Sequence, residues 1–300
     1  MRFIISPAKK MKTDTDTLAP AGLPACLDRA QELLDWMRKK SLPEMKAVWK
    51  CSDKIAQEAY ERLEKTELKR NLTPALVSYE GIQYQYMAPA VFEDGQWDYV
   101  QEHVRILSGF YGILRPLDGV VPYRLEMQAK ASDAGSLYAF WGRSLYERLA
   151  AETDCIVNLA SREYALCVEK YLEKKMRYVT CVFGEEQGKT DAGHQACALD
   201  EAQRTSSPVI QKGTHAKMAR GEMVRFAAER GILAPEGLKD FNRLGYEYRE
   251  EYSERDLYVF CRSVSGDIDR ICFHGLNWKD TEDGGKNVYY CRFGESQKGI

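Results

Sequence analysis

The sequence predicts an α/β fold, a mixed sheet with surrounding helices. Short β-branched, apolar runs at residues 2–6, 155–161, 176–183 and 257–260 read as buried strands. Between them, apolar residues three and four apart, as in 27–40 and 215–230, mark amphipathic helices. Strands interleaved with helices along one chain give this class. The 300 residues, 44% hydrophobic, are enough to enclose one large core.

In chain order, residues 2–6 form the first strand, which runs straight into Ser6, Pro7 and then Lys9 and Lys10. A strand ending in a Ser-Pro turn with lysines suits an anion-binding loop, since α/β proteins place ligands beyond strand carboxyl ends. A basic loop that binds nothing has the same sequence. Residues 13–24 read as loop. Residues 27–40 form a helix with Ala30, Leu33, Leu34 and Met37 on one face, and 42–68 continue as helix after a start signal at Ser41 and Pro43. Residues 76–79 read as a strand beside a crowd of tyrosines, Tyr79, Tyr84 and Tyr86.

The stretch 105–127 is the most informative. Trp97, Val100, Val104 and Leu107 precede it at helical spacing, and Gly109 and Gly112 bracket Phe110 and Tyr111. The pattern, hydrophobic-Ser-Gly-hydrophobic-x-Gly-hydrophobic, is that of a helix-hairpin-helix turn, which aims backbone N–H groups at phosphate. Arg105, Arg115 and Arg124 surround it. Pro116 opposes a second helix, so the pattern alone reads first as a helix C-cap followed by a buried, Pro-containing loop.

Farther on, 155–161 is a second strand that runs into a serine, Ser161, so Ser6 and Ser161 are expected at neighbouring edges of one crevice. Residues 185–203 are polar and read as a loop. The helix at 215–230 carries Lys217 and Arg220 on one face, beside Gly221, where a phosphate or another backbone can come close. Residues 241–260 supply a final pair of strands with an acidic link. We place one domain at 1–260 and a C-terminal β-rich extension at 261–300.

The net charge of −2 does not advertise a nucleic-acid role, which would require basic residues gathered on one face. Arg2, Lys9, Lys10 and Lys12 lie at the start without an acid, and residues 211–230 are also enriched in Lys and Arg. No apolar run reaches the length of a membrane span, and the start turns polar too soon for a signal peptide, so no membrane partner and a cytoplasmic location are expected. Nine cysteines without Cys-x-x-Cys fit reduced thiols rather than a disulfide framework. Cys261, Cys272, His274 and Cys291 fit no zinc spacing, and no metal or cofactor is expected.

Several segments together resemble the YaaA peroxide-stress family: ISPAK at 5–9, SDK at 52–54, RILSGFYGILRPLD at 105–118, PYRLEM at 122–127, LYAFW at 137–141, VNLAS at 157–161 with Glu163 and Tyr164, and Lys217 with Arg220 and Gly221. They occur in the family's order over roughly residues 1–260, and the ordered set is highly specific. It turns the reading of 105–114 toward the helix-hairpin-helix. The chain departs at Lys10, where many relatives have threonine, and in a tail after Arg262 without a counterpart in the pattern.

The resemblance implies a single cytosolic domain with an unusual fold and a basic cleft that binds double-stranded or branched DNA with little sequence preference. It also implies peroxide survival through lowered free iron and less iron-driven DNA damage. The cleft residues it carries over are Ser6, Lys9, Arg105, Gly109, Gly112, Arg115, Arg124, Ser161, Lys217 and Arg220. The alternative is an enzyme acting on a nucleotide or other phosphorylated small molecule in the same cleft, with Lys9, Glu126 or Lys217 in acid–base work. No nucleophile–base pair is readable. Direct iron binding is the weakest reading, since the four histidines form no cluster with carboxylates.

Overall fold

The computed structural model of the chain describes residues 1–130, 135–186 and 209–262. The polar stretch 187–203 and the extension from residue 263 lie outside the described residues. Among the described residues the order is β1 (Arg2–Ile5), β2 (Lys10–Met11), α1 (Leu27–Arg38), α2 (Leu42–Trp49), α3 (Asp53–Lys65), β3 (Thr73–Pro74), α4 (Ala75–Ser78), β4 (Tyr79–Glu80), α5 (Ile82–Met87) and α6 (Asp94–His103). Next come β5 (Val104–Ser108), β6 (Gly112–Leu114), β7 (Gly119–Val120), α7 (Leu137–Trp141), α8 (Ser144–Glu152), β8 (Cys155–Asn158), α9 (Arg162–Glu169), β9 (Arg177–Glu186), β10 (Val209–Ile210), α10 (Gly213–Arg230), β11 (Tyr246–Tyr248) and β12 (Leu257–Arg262).

One sheet of eight strands organises the molecule, in the order β11-β12-β9-β8-β1-β5-β6, with β10 on β9. The run from β12 to β5 is parallel, and β6, β10 and β11 pair antiparallel. The expected mixed α/β architecture is therefore what forms. β1 is central, and its Phe3, Ile4 and Ile5 are wholly buried, as a strand covered on both faces requires. From β1 the chain next enters the parallel sheet at β5 on one side. From β8, on the other side of β1, it moves outward to β9 and β12. Neighbours whose continuations diverge leave a crevice beyond their carboxyl ends.

The helices mostly follow the sequence pattern. α1 buries Ala30, Leu33, Leu34 and Met37, the face read from spacing. The single helix expected over 42–68 is two. α2 opens with Glu44 accepting the Ser41 N–H at 2.8 Å and closes at Lys50, whose φ of 48° reverses the chain before α3. The strand expected at 76–79 is mostly the one-turn helix α4. Its Ala75 and Leu76 N–H groups donate to the carbonyls of Asp118 and Pro116, a tertiary pairing that local propensity does not encode.

The largest departure lies at 97–114. α6 ends at His103, and Val104 to Ser108 form a strand because they pair with β1 in the register Phe3 to Val104. The glycine pair then sits in a β-hairpin between β5 and β6, with Ser108 opposite Gly112. The helix-hairpin-helix turn expected there does not form. Ser108 Oγ accepts the Phe110 and Tyr111 N–H groups and ties the bend, and Gly112 takes the φ of 74° that a side chain would oppose. Five residues buried on both faces mimic helical spacing, which is why periodicity misled here.

At the amino ends of β1 and β5 the sheet is closed by charge. Arg105 is 2% exposed and places its Nε 2.8 Å from Glu152 Oε2, while its Nη1 donates to the Val104 and Gln101 carbonyls. Arg2 and Arg115 also pair with Glu152, at 3.5 and 3.6 Å. Burial opposes the Glu152 charge, but these guanidiniums overcome it and hold the carboxyl below its ordinary value. Nearby Asp118, 7% exposed, accepts the Arg115 N–H at 2.8 Å. Burial nevertheless pushes its carboxyl up from 3.8 to about 6.

A Cβ at Gly221 would lie 2.0 Å from the Gln83 carbonyl oxygen of α5, whereas one at Gly213 meets nothing within 4 Å. Gly221→Ala should therefore cost about 3 kcal/mol in urea unfolding and Gly213→Ala less than about 0.5 kcal/mol; equal losses would refute the close helix contact. The folded chain keeps the Asp118 proton over a range where the unfolded chain has lost it. The stability this proton gives is present below 3.8 and falls as pH rises through about 6. Asp118→Asn should abolish that fall, so the wild type loses on the order of 2–3 kcal/mol relative to the variant across the range, and parallel stability profiles would refute it.

Candidate functional site

The crevice beyond β1 and β8 is a cavity of about 550 Å³. Its floor is made by the two loops that leave those strands. Ser6 follows β1 and Ser161 follows β8, and the register of Ile4 with Asn158 makes them neighbours. Ser6 Oγ accepts the Ser161 N–H at 2.8 Å and lies 3.1 Å from Ser161 Oγ. Asn158 Oδ1 accepts the Ala160 N–H at 2.9 Å and shapes the second loop. Ser161 is also the residue from which α9 starts, so the partial positive end of that helix lies at the crevice. The neighbouring serine edges expected from the sequence are in contact.

α10 supplies one wall. Lys217 and Arg220, one helical turn apart, both line the cavity. Neither makes an ion pair among the described residues, and the Arg220 Nε is sealed without a hydrogen-bond partner among them. Burial lowers the Arg220 pKa, though a guanidinium stays charged. The bare face expected at Gly221 is filled by the backbone of α5, which brings Gln83 to the cavity. Gln83 is 6% exposed, and its Nε2 also lacks a partner among the described residues.

The rest of the lining mixes carboxylates with lysines. Lys9, 68% exposed, pairs with Glu126 at 3.3 Å, and Lys10 pairs with Glu80 at 3.0 Å. Glu163 accepts the Gln128 N–H at 3.2 Å. Burial raises its pKa, the Glu126 charge adds to this, and Lys9 and the backbone N–H groups oppose it. Tyr164 and Tyr84 back the cavity, and Tyr84 donates to the Ser6 carbonyl at 2.9 Å. Tyr79 and Tyr123, 2.8 Å apart through their hydroxyls, continue this packing to Ser108, 2.7 Å from Tyr123.

Ser6, Lys9, Ser161, Lys217 and Arg220 thus share one cavity, brought from distant parts of the sequence. The other expected site residues lie elsewhere. Arg105 and Arg115 line a separate cavity of about 440 Å³ at the amino ends of the strands, with Asp118, Arg148 and Glu152. Gly109 and Gly112 are buried in the hairpin. Gly109 lies against the backbone of Leu125 to Met127, and Gly112 against the Trp141 ring, and neither lines the crevice. Arg124 faces a narrow gap beside Trp49 and Phe110. Sequence reasoning did not select Gln83, Glu163 or Tyr164 as site residues. The last two stand directly after Ser161, which was the available signal, while Gln83 is brought in only by helix packing.

Among the described residues no group of three His, Cys, Asp or Glu side chains is placed to hold a metal ion. Nor is any helix there long and apolar enough to cross a membrane. A family model described as peroxide stress protein YaaA matches residues 1–252. The chain is 50% identical over 267 residues to a UPF0246 protein of Agathobacter rectalis, covering 88% of this chain and 100% of the relative. A UPF0246 protein of Lachnoclostridium phytofermentans is 49% identical over 272 residues, covering 90% and 100%, and one of Pediococcus pentosaceus is 46% identical over 265, covering 88% and 98%. A family match over residues 1–252, joined to relatives covered over almost their whole length, means that the chain belongs to the peroxide stress protein YaaA family.

Proposed function

We propose that this peroxide-stress protein works by binding a phosphate group in the crevice beyond β1 and β8. The supporting observation is the cation pair Lys217 and Arg220, without a carboxylate partner among the described residues, facing two serine loops and the start of α9. Unpaired cations beside hydroxyls and a helix N-terminus suit a phosphate. The cavity volume is that of a small-molecule site rather than a duplex groove. Glu80 and Glu126 in the lining are paired with Lys10 and Lys9, and Glu163, without an ion pair among the described residues, disfavours a polyanion there. A nucleotide or similar phosphorylated small molecule is therefore the ligand class the geometry favours.

A second reading, DNA binding with little sequence preference, rests on a different surface. α2 and α3 pack as two helices joined by a three-residue turn, with the left-handed Lys50 in the bend and Ser52 opening α3. On this reading the helical hairpin, with Lys50 in its turn and Lys54 beside it, would take the contact expected of residues 105–114, although Lys46 is tied to Asp53. We infer from the family a role in peroxide survival in the cytoplasm, with less iron-driven DNA damage as its effect.

Calorimetry with inorganic phosphate and nucleoside monophosphates, beside fluorescence anisotropy with duplex and branched DNA over a salt series, separates the readings. A cleft ligand should lose at least about tenfold in affinity in Arg220→Gln and keep it in Lys50→Ala with Lys54→Ala, one hydrogen bond to a charged group being worth that much. DNA contact should instead give a steep salt slope that the two lysine substitutions reduce. Absence of binding by both ligand types in low salt would overturn the proposal.

A further inference from the structure

The cleft has two signs, and a phosphate alone would satisfy only one of them. On the α10 side stand Lys217, Arg220 and the buried Gln83, whose Nε2 lacks an acceptor among the described residues. A buried donor left without a partner is costly, so such a group points to an acceptor brought by a ligand. Elsewhere in the lining stand Glu126 and Glu163, close enough that the Glu126 charge adds to burial in raising the pKa of Glu163. The Lys9 ammonium pairs with Glu126 but is largely in solvent, where such a pair is worth little. It offsets part of the charge there, opposing the raised pKa of Glu163, while Glu163 itself makes no ion pair among the described residues. Two acceptors and orphaned donors lining one cavity describe the complement of a bipolar molecule.

Building on the phosphate reading above, we propose that the cleft takes a phosphorylated small molecule that also carries a hydrogen-bond-donating amine. The phosphate lies against Lys217, Arg220 and Gln83, and the amine lies against Glu126 and Glu163. The cavity of about 550 Å³ admits a ligand of nucleotide size, so both ends can be engaged at once. This carboxylate pair acts as a selector. It attracts an amine, and it repels a ligand that presents only oxygens there.

Calorimetry on the full chain with three probes tests this: AMP, purine riboside 5′-monophosphate, which lacks the exocyclic amine, and ribose 5-phosphate. AMP should bind at least about tenfold tighter than the amine-free nucleotide, the worth of one hydrogen bond to a charged acceptor. Glu126→Gln with Glu163→Gln should reduce this preference to within about twofold while ribose 5-phosphate binds as well as before or better, since a repulsive charge pair is gone. Arg220→Gln should weaken all three. Equal wild-type affinity for AMP and the amine-free nucleotide would overturn the amine assignment and leave the phosphate site standing. If none of the three probes binds, the phosphate reading itself fails, and this inference with it.

Discussion

The contact between Ser6 and Ser161 is the constraint on which the candidate site depends. It exists because β1 and β8 are parallel neighbours in fixed register, so the loops leaving them emerge side by side. It also marks the point where the chain's path across the sheet diverges. The connections leaving the two strands run to opposite sides, which leaves a crevice between them for a ligand. Both serines are occupied with each other, which sets the floor before any ligand arrives. Preorganisation of this kind spares the entropy of ordering loops on binding.

The surroundings of this floor explain its rigidity. Tyr84 is fixed to the Ser6 carbonyl, and its ring packs 5.3 Å from that of Tyr79. Tyr79 joins Tyr123 and Ser108 through hydroxyls, and Ser108 in turn ties the β5–β6 bend. One continuous set of buried hydroxyls and rings therefore links the cleft to the glycine hairpin. The RILSGFYGIL segment holds the wall that Tyr123 and Glu126 come from, with Gly109 admitting the 125–127 backbone at close range. Its many small and polar groups serve packing behind the cleft, and they do not themselves contact it.

The two charged regions of the sheet play opposite parts. At the amino ends, Arg105 and Glu152 satisfy each other, and the buried guanidinium has all its described donors engaged. A satisfied buried pair fixes geometry and offers little to a ligand. At the carboxyl ends, Arg220 and Gln83 are left short of acceptors. The same residue type, arginine in a sheet-end cavity, thus closes one end and leaves the other receptive. What differs is the presence of a carboxylate within reach, and residue type alone does not carry that information.

By itself the sequence determined the α/β class, the buried strands around residues 2–6 and 155–158, the apolar face of α1 and the extent of α10. Each rests on local periodicity or on β-branched runs, which act within a few residues. It also placed Ser6 and Ser161 in one crevice, because strand ends in an α/β sheet converge. Tertiary structure alone decided that residues 104–114 form a β-hairpin, since a segment buried on both faces satisfies helical and extended spacing equally. It alone decided that Gly221 is covered by α5, that Gln83 enters the cleft, and that Arg105 and Arg115 belong to the far end. These outcomes follow from pairing register and helix contact across long separations, and those are set by the whole chain folding at once.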